Sequence, residues 1–431
     1  MKGNYSFVVK NESKYFLEQV TWTTLTSGKL SFRYKPVGYL FDGTGSSIFT
    51  KDKMITKYLL GLMNSNVGEY LLGIIGQTMS YEVGMVSKVP VIYQNAEQII
   101  PWIDNAIAIC KSDWDTYETS WNFKRHPLVG NYKDLEEATT VFLASKAEEK
   151  SALAKCEKRI NSFFEEVYNI HPTATDDEYS SIDIPSTRDA MVSLISYAVG
   201  CMFGRYSLDK TGLIYAGGSW DKNDYMTFIP DKDNSIPISD EEYFEDDIVA
   251  RFCRWLKQVY GDETLEENLN FIAHNLGNKG TTSRDVIRNY FLSDFIKDHT
   301  KTYQKRPVYW LFDSGKQNGF KALVYMHRWN ADTVGNLRVE YLHKMQHIYE
   351  HETVRMQEII DNSHDSREVS KATKRKDKLQ KQLKETKAYD AKLAHIALSR
   401  IEIDLDDGVK VNYEKVQTGR DGKKMQILAK I

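Results

Sequence analysis

Two groups of residues in this 431-residue chain have types and spacings that metal or acid–base chemistry uses. His347-Ile348-Tyr349-Glu350-His351 fits H-x-x-E-H, and His343 adds a third ring at the same i, i+4 interval. On a helix, however, His343 and His351 lie about 12 Å apart along the axis, so three such rings cannot meet on one ion. The apolar residues around them, at heptad-like spacing, argue for a packed helix. The second group is acidic: Asp240, Glu241, Glu242, Glu245, Asp246 and Asp247. Clustered carboxylates suit a divalent cation. Yet the sequence fixes no histidine or second acidic group beside them, and Asp246 or Asp247 stands where the cap of a helix Ile248 to Tyr260 belongs. Asp42-Gly43-Thr44-Gly45 lies between short strand-like runs with no suitable helix after it, so it reads as a turn. There is no P-loop, no G-x-S-x-G elbow and no nuclease carboxylate–lysine pattern. The chain on its own is not expected to be an enzyme.

The elements that would position any site alternate between two periods. From Trp22 to Ile48 apolar and polar residues alternate, broken at Ser27-Gly28, Lys35-Pro36 and Asp42-Gly43, which predicts short antiparallel strands. Tyr58, Leu59, Leu62, Met63, Val67, Tyr70 and Leu71 then mark a helix, followed by a polar loop, Gln77 to Gly84, and a strand-like Val86 to Val91. Helical spacing returns from Ala96 and leads into DWDTYETSWNFKRHPLV, where Trp114, Tyr117, Trp121 and Phe123 stand beside a basic cluster, Lys124, Arg125 and His126. A charged helix is expected from Leu135 to Tyr168, and a polar linker from His171 to Ile184.

A second globular region opens with a buried helix, Met191 to Phe203, and a strand and turn, Leu213 to Gly218. A Ser-capped helix at Ser283 precedes a β-hairpin, Pro307 to Asp313 and Phe320 to Trp329, turning at Gly315 to Gly319. Val334 to Ile359 and Leu379 to Ile396 predict an antiparallel helical hairpin broken at Asp361 to Ser366. Its return arm, Arg367 to Lys392, holds ten Lys/Arg against four Asp/Glu. Turns at Asp407-Gly408 and Asp421-Gly422 predict a closing β-hairpin from Asp406 to Ile431. The fold class is therefore α+β, with domains expected at 1–95 (β-rich), 96–182 (helical spacer), 183–330 (a second α+β domain) and 331–431 (helical hairpin with closing strands).

Composition narrows the partners. A net charge of −3 excludes a uniformly basic nucleic-acid-coating protein but leaves room for a local basic surface. The four cysteines are widely separated and read as reduced thiols. MKGNYSFVVK lacks the apolar core of a signal peptide, and Met191 to Phe203 is too short to cross a bilayer, so a cytoplasmic, non-membrane protein is expected.

Three stretches carry a family likeness. Leu62-Met63-Asn64-Ser65 before Lys88-Val89-Pro90-Val91, the passage Asp113 to Pro127, and TYQKRPVYWLFDSGKQNGFKALVYMHRW together resemble the C-terminal half of the adenine-specific DNA methyltransferases of BREX phage-exclusion systems, the PglX family. The likeness covers nearly the whole chain. It implies that residues 1–95 are a target-recognition module and that double-stranded DNA is the partner. It further implies other BREX proteins or a phage-encoded DNA mimic as possible partners, along with a missing methyltransferase half that binds S-adenosylmethionine. The N-P-P-[YF] loop that grips a flipped adenine is absent from this sequence, so no cofactor is expected on this chain.

On that resemblance, Lys29, Arg33, Tyr34 and Lys35, on a strand and its turn, and Gln77, Thr78, Tyr81 and Glu82, on the polar loop, are the candidates for base contact. Arg on guanine and Gln on adenine are common pairings. Lys124, Arg125, Lys305, Arg306, Lys374, Arg375 and Lys378 are candidates for phosphate contact. The alternative is an interaction scaffold that docks other defence-system components.

Overall fold

A computed structural model describes residues 11–26, 30–42, 44–76, 80–172, 182–277 and 279–431. The fold is α+β, with two three-stranded antiparallel sheets among many helices. Packing divides the chain into two units, Met1–Trp114 with Leu143–Ile184, and Asp115–Phe142 with Pro185–Ile431.

In the first unit β1 (Gln19–Thr23) lies between β2 (Phe32–Lys35) and β3 (Gly45–Ile48). The register pairs Val20 with Tyr34 and Ile48, and Trp22 with Phe32 and Ser46, so these side chains share one face of the sheet. On that face Val20, Trp22 and Phe32 join a core built from α1 (Lys53–Asn64), α2 (Asn66–Ile75), α3 (Val83–Val86), α4 (Ala96–Trp114) and α5 (Leu135–Tyr168). The helix α5 has the bounds expected from its charge pattern, and its first eight residues belong to the second unit.

The Asn-Ser pair in this unit has a structural task. Asn64 Oδ1 accepts the Phe32 N–H at 2.9 Å, and its Nδ2 donates to the Phe32 carbonyl at 2.9 Å and to the Leu60 carbonyl at 3.1 Å. One side-chain amide thus covers the edge of β2 as a further strand would. Ser65 then caps α2, accepting the Gly68 N–H and donating to the Leu62 carbonyl.

The expected strand Val86 to Val91 does not form: α3 ends at Val86 and an unpaired strap follows. Pro90 has no N–H to give a sheet. Tyrosines serve the strap instead, with Tyr168 Oη donating to the Pro90 carbonyl at 2.7 Å and accepting the Ile92 N–H, and Tyr58 Oη donating to the Ile92 carbonyl.

The second unit is built around α6 (Thr187–Phe203), a helix buried on every side from Leu194 onward. A Ser186–Asp189 capping box starts it, and Gly204, at φ 77°, ends it. Next come β4 (Ile236–Ile238), α7 (Ile248–Tyr260), α8 (Leu265–Leu276), α9 (Ser283–Ser293) and α10 (Phe295–Thr302), then the hairpin β5 (Tyr309–Asp313) and β6 (Lys321–Tyr325). The hairpin is where the sequence placed it. Its strands read as continuous apolar runs because both faces are covered. β4, which the sequence analysis did not foresee, adds to β6 as a third strand.

Three further expectations are corrected. Thr282, not Ser283, caps α9, in a capping box with Asp285. Leu213 to Gly218 forms no strand; it is irregular and ends in bends at 216–218, where Gly217 and Gly218 take positive φ. At the C-terminus only the second turn closes, through a bridge between Thr418 and Lys424; the first leads into α14 (Val409–Lys415), and Leu428 bridges to Phe312 at the edge of β5. The helical hairpin is present: α11 (Thr333–Leu337) widens into a π-helical turn, Arg338–Leu342, and continues as α12 (His343–Asn362), which packs on α13 (Ser366–Ala397).

The edge clamp on β2 is open to test. Asn64→Ala removes three hydrogen bonds to backbone groups and strands the Phe32 amide, at a cost of about 2 kcal/mol in urea unfolding. Asn64→Asp, which still accepts but cannot donate, is expected to fall between Ala and wild type, and amide exchange at Phe32 should accelerate in the same order.

Candidate nucleic-acid interface

Strand periodicity sorts the base-contact candidates. Arg33 and Lys35 share the face of the first sheet opposite Val20 and Trp22, where they pair with Thr21 and Gln19 of β1. Arg33 is exposed, and its Nη1 donates to Thr23 Oγ1 at 3.3 Å; Lys35 is half-buried. The scaffold beneath them is fixed by Thr21 Oγ1 donating to the Ser46 carbonyl (2.9 Å) and Ser47 Oγ donating to Gln19 Oε1 (2.6 Å). Tyr34 turns the other way, against the core, and burial, followed by neighbouring Glu18, raises its pKa.

Tyr81 is stitched to the end of β1: its N–H donates to the Thr24 carbonyl (2.7 Å) and its carbonyl accepts Trp22 Nε1–H (2.7 Å). Glu82 beside it is exposed. Lys29, Gln77 and Thr78 lie outside the described residues. The turn at Asp42 is closed by its own carboxylate, since Oδ1 accepts the N–H groups of Thr44 and Gly45. Those two amides are therefore not free to cradle a cofactor.

The phosphate candidates come from separate elements of the second unit. Lys124 is exposed, but Arg125 is half-buried with Nη2 donating to the Leu208 carbonyl (2.8 Å). His126 is no part of a basic cluster. It is buried, accepts the Leu128 N–H on Nδ1, lies 2.9 Å from Ser193 Oγ, and burial pushes its pKa down to about 3. Lys305 and Arg306 are exposed on the turn before β5, where Gln304 and Lys305 take positive φ of 50° and 62°. That strained pair is held by the Lys305 N–H on the Thr300 carbonyl at 2.8 Å.

On α13, Lys374 is exposed, whereas Arg375 and Lys378 both grip Asp240, at 2.8 Å and 2.6 Å. Burial would raise the Asp240 pKa, but hydrogen bonds from these two cations hold it below the usual carboxylate range.

The two groups singled out for metal chemistry are dispersed. His343 lies 3.0 Å from Asp390, and His347 is exposed beside Glu350. Asp247 caps α7 and is bound bidentately by buried Arg288, at 2.7 Å and 2.9 Å. Among the described residues no group of His, Cys, Asp and Glu side chains is placed to hold a metal.

A cleft that the sequence reading missed opens in the second unit, with a volume of about 920 Å³ between the loop 227–233, α7 and the π-helical turn. Arg251, Arg254 and Lys257 line it at i, i+3, i+6, and that spacing was the available signal. Tyr341 Oη sits 2.9 Å from Asp233 and 2.8 Å from Asp246, one hydroxyl between two carboxylates. Burial, then a hydrogen bond with Asp233, pushes Asp231 up to about 7, against the pull of Arg251 at 3.4 Å.

No protein-family model matches the chain. It is 39% identical over 415 residues to the adenine-specific methyltransferase PglX of Lacticaseibacillus casei (strain Zhang), a match that covers 93% of this chain and 34% of that protein. It is 36% identical over 440 residues to the adenine-specific methyltransferase BrxX of Escherichia coli O9:H4 (strain HS), covering 94% and 36%. Over this shared region the chain is similar to these two adenine-specific methyltransferases. It spans about a third of the length of the curated relatives it matches. Of the stretches that carry the likeness, Asn64-Ser65, Pro90 and the β5–β6 strands are scaffold, whereas the passage 113–127 and the residues just before β5 also hold exposed Lys124, Lys305 and Arg306.

The buried acid in the cleft has a pH signature. Asp231 keeps its proton in the folded state up to about pH 7, whereas an unfolded aspartate releases it near pH 4. Between those values the folded state holds more protons, so this group costs stability as pH rises, and no more is lost above its folded pKa. Asp231→Asn should therefore gain on wild type from about pH 4 to 7 in urea unfolding and keep a constant difference above that.

Proposed function

We propose that this chain is the DNA-recognition portion of an adenine-specific (N6) DNA methyltransferase of a BREX-type phage-defence system, and that methyl transfer and S-adenosylmethionine belong to the part of the relatives that this chain does not span. The observation that carries the reading is the similarity to PglX and BrxX over more than nine-tenths of the chain. In this reading residues 1–95 are the recognition module and 96–182 a helical spacer. The second α+β region, 183–330, and the helical hairpin region, 331–431, then supply grip on the backbone.

Physical chemistry supports a division of labour. Arg33 and Lys35 stand on one face of a sheet whose other face is core, and a rigid element is what positions a side chain against a base edge. Tyr81 and Glu82 border the same strand end, and Lys29, Gln77 and Thr78 complete the proposed reading set. Lys124, Lys305, Arg306 and Lys374 are exposed and suit phosphate. Arg125, Arg375 and Lys378 already have partners within the fold.

The test is a binding titration against duplex DNA of random and of selected sequence at two salt concentrations. Wild type is expected to bind with steep salt dependence. Arg33→Ala with Lys35→Ala is expected to lose about 1–3 kcal/mol per specific contact on a preferred sequence, with little change on random duplex. Absence of salt-sensitive binding by the wild-type chain would reject the reading in favour of the scaffold.

A further inference from the structure

We infer that one face of α13 is a phosphate rail, a line of cations that grips the backbone of duplex DNA without reading it; this rests on the DNA-binding function proposed above. Arg367, Lys371, Lys374, Lys378 and Lys381 recur at intervals of four, three, four and three residues. That repeat brings side chains onto one side of a helix, here over about 21 Å of axis. All five are exposed. Lys378 is tied to Asp240, but Arg367, Lys371, Lys374 and Lys381 have no carboxylate within ion-pair distance among the described residues. The next position on the line, Glu385, is wrapped by the β5–β6 turn, whose Gln317 and Gly319 amides donate to it. That turn extends the line with exposed Lys316.

Lys378 apart, folding gives no reason for this arrangement, since like charges three and four residues apart weaken a helix. The line gains only when something anionic lies along it. A protein partner is the poorer fit: protein interfaces are depleted in lysine and centred on apolar or aromatic anchors, and α13 exposes no large hydrophobic side chain. Duplex DNA offers a negative charge every ~3.4 Å of axis on each strand, and flexible lysines meet such a series in many registers. Arg375 is excluded from the rail. It lies off the line, with a side chain 18% exposed and bound to Asp240 and Glu241.

The experiment uses the full chain and a short random-sequence duplex, with affinity measured between about 50 and 200 mM salt. Variants are Lys371→Gln/Lys374→Gln/Lys381→Gln, and Lys155→Gln/Lys158→Gln, exposed on α5, as the comparison. Circular dichroism confirms that each folds. The rail predicts that the triple variant lowers the slope of log affinity against log salt by about 2–3, with equal loss on every duplex sequence, while the comparison variant keeps its slope. A folded triple variant with the wild-type slope would overturn the rail and leave DNA binding standing, whether the line is idle or serves an acidic protein. No binding by wild type at the lowest salt would overturn the DNA reading and the rail with it.

Discussion

A carboxylate taken out of water must be paired, and Asp240 is paired by residues far along the chain. Arg375 and Lys378 of α13 close on it at 2.8 Å and 2.6 Å. Breaking such a pair leaves an uncompensated charge, at a cost of several kcal/mol. The clamp therefore fixes the rotation of α13. Leu379, Gln382, Thr386, Tyr389, Leu393 and Ile396 go inward, and the unpaired cations are left facing solvent. Asp247 plays the corresponding part deeper in, where one carboxylate caps α7 and anchors Arg288 of α9. Acidic residues that suggested a metal by their clustering in sequence are thus spent one at a time on joining helices.

The same logic separates cations that can meet an external phosphate from those that cannot. Charge in the sequence does not say whether it is already used. Lys374 and Arg375 are neighbours in the chain, yet one is free in solvent and the other is sealed against two acids and a tyrosine. His126, read beside two cations as basic, is neutral because its surroundings desolvate it.

Long periodic elements were legible because one period ran unopposed for several turns. The helix Leu135–Tyr168, the buried helix α6, the β5–β6 hairpin and the α12–α13 hairpin stand where periodicity put them. What failed was local and had a tertiary cause. Val86 to Val91 has the residues of a strand, but its first half turns on local backbone bonds, and Tyr168 and Tyr58, distant in sequence, hold Pro90 and the following Ile92. The cleft depends on Tyr341 meeting Asp233 and Asp246 from about a hundred residues away, and nothing local announces that. The family likeness was legible for a related reason: much of its motif sequence is scaffold, so it speaks chiefly for the fold and leaves the reading face to be argued from Arg33 and Lys35.

The most direct test of the central claim is selection of binding sites from a random duplex library by the purified chain at moderate salt. If the first sheet presents a reading face, recovered sequences should converge on one short asymmetric site, and Arg33→Ala should abolish that convergence while total recovery persists. Uniform recovery of all sequences by the wild-type chain would contradict the account, because it would mean a molecule that holds the phosphate backbone and reads nothing.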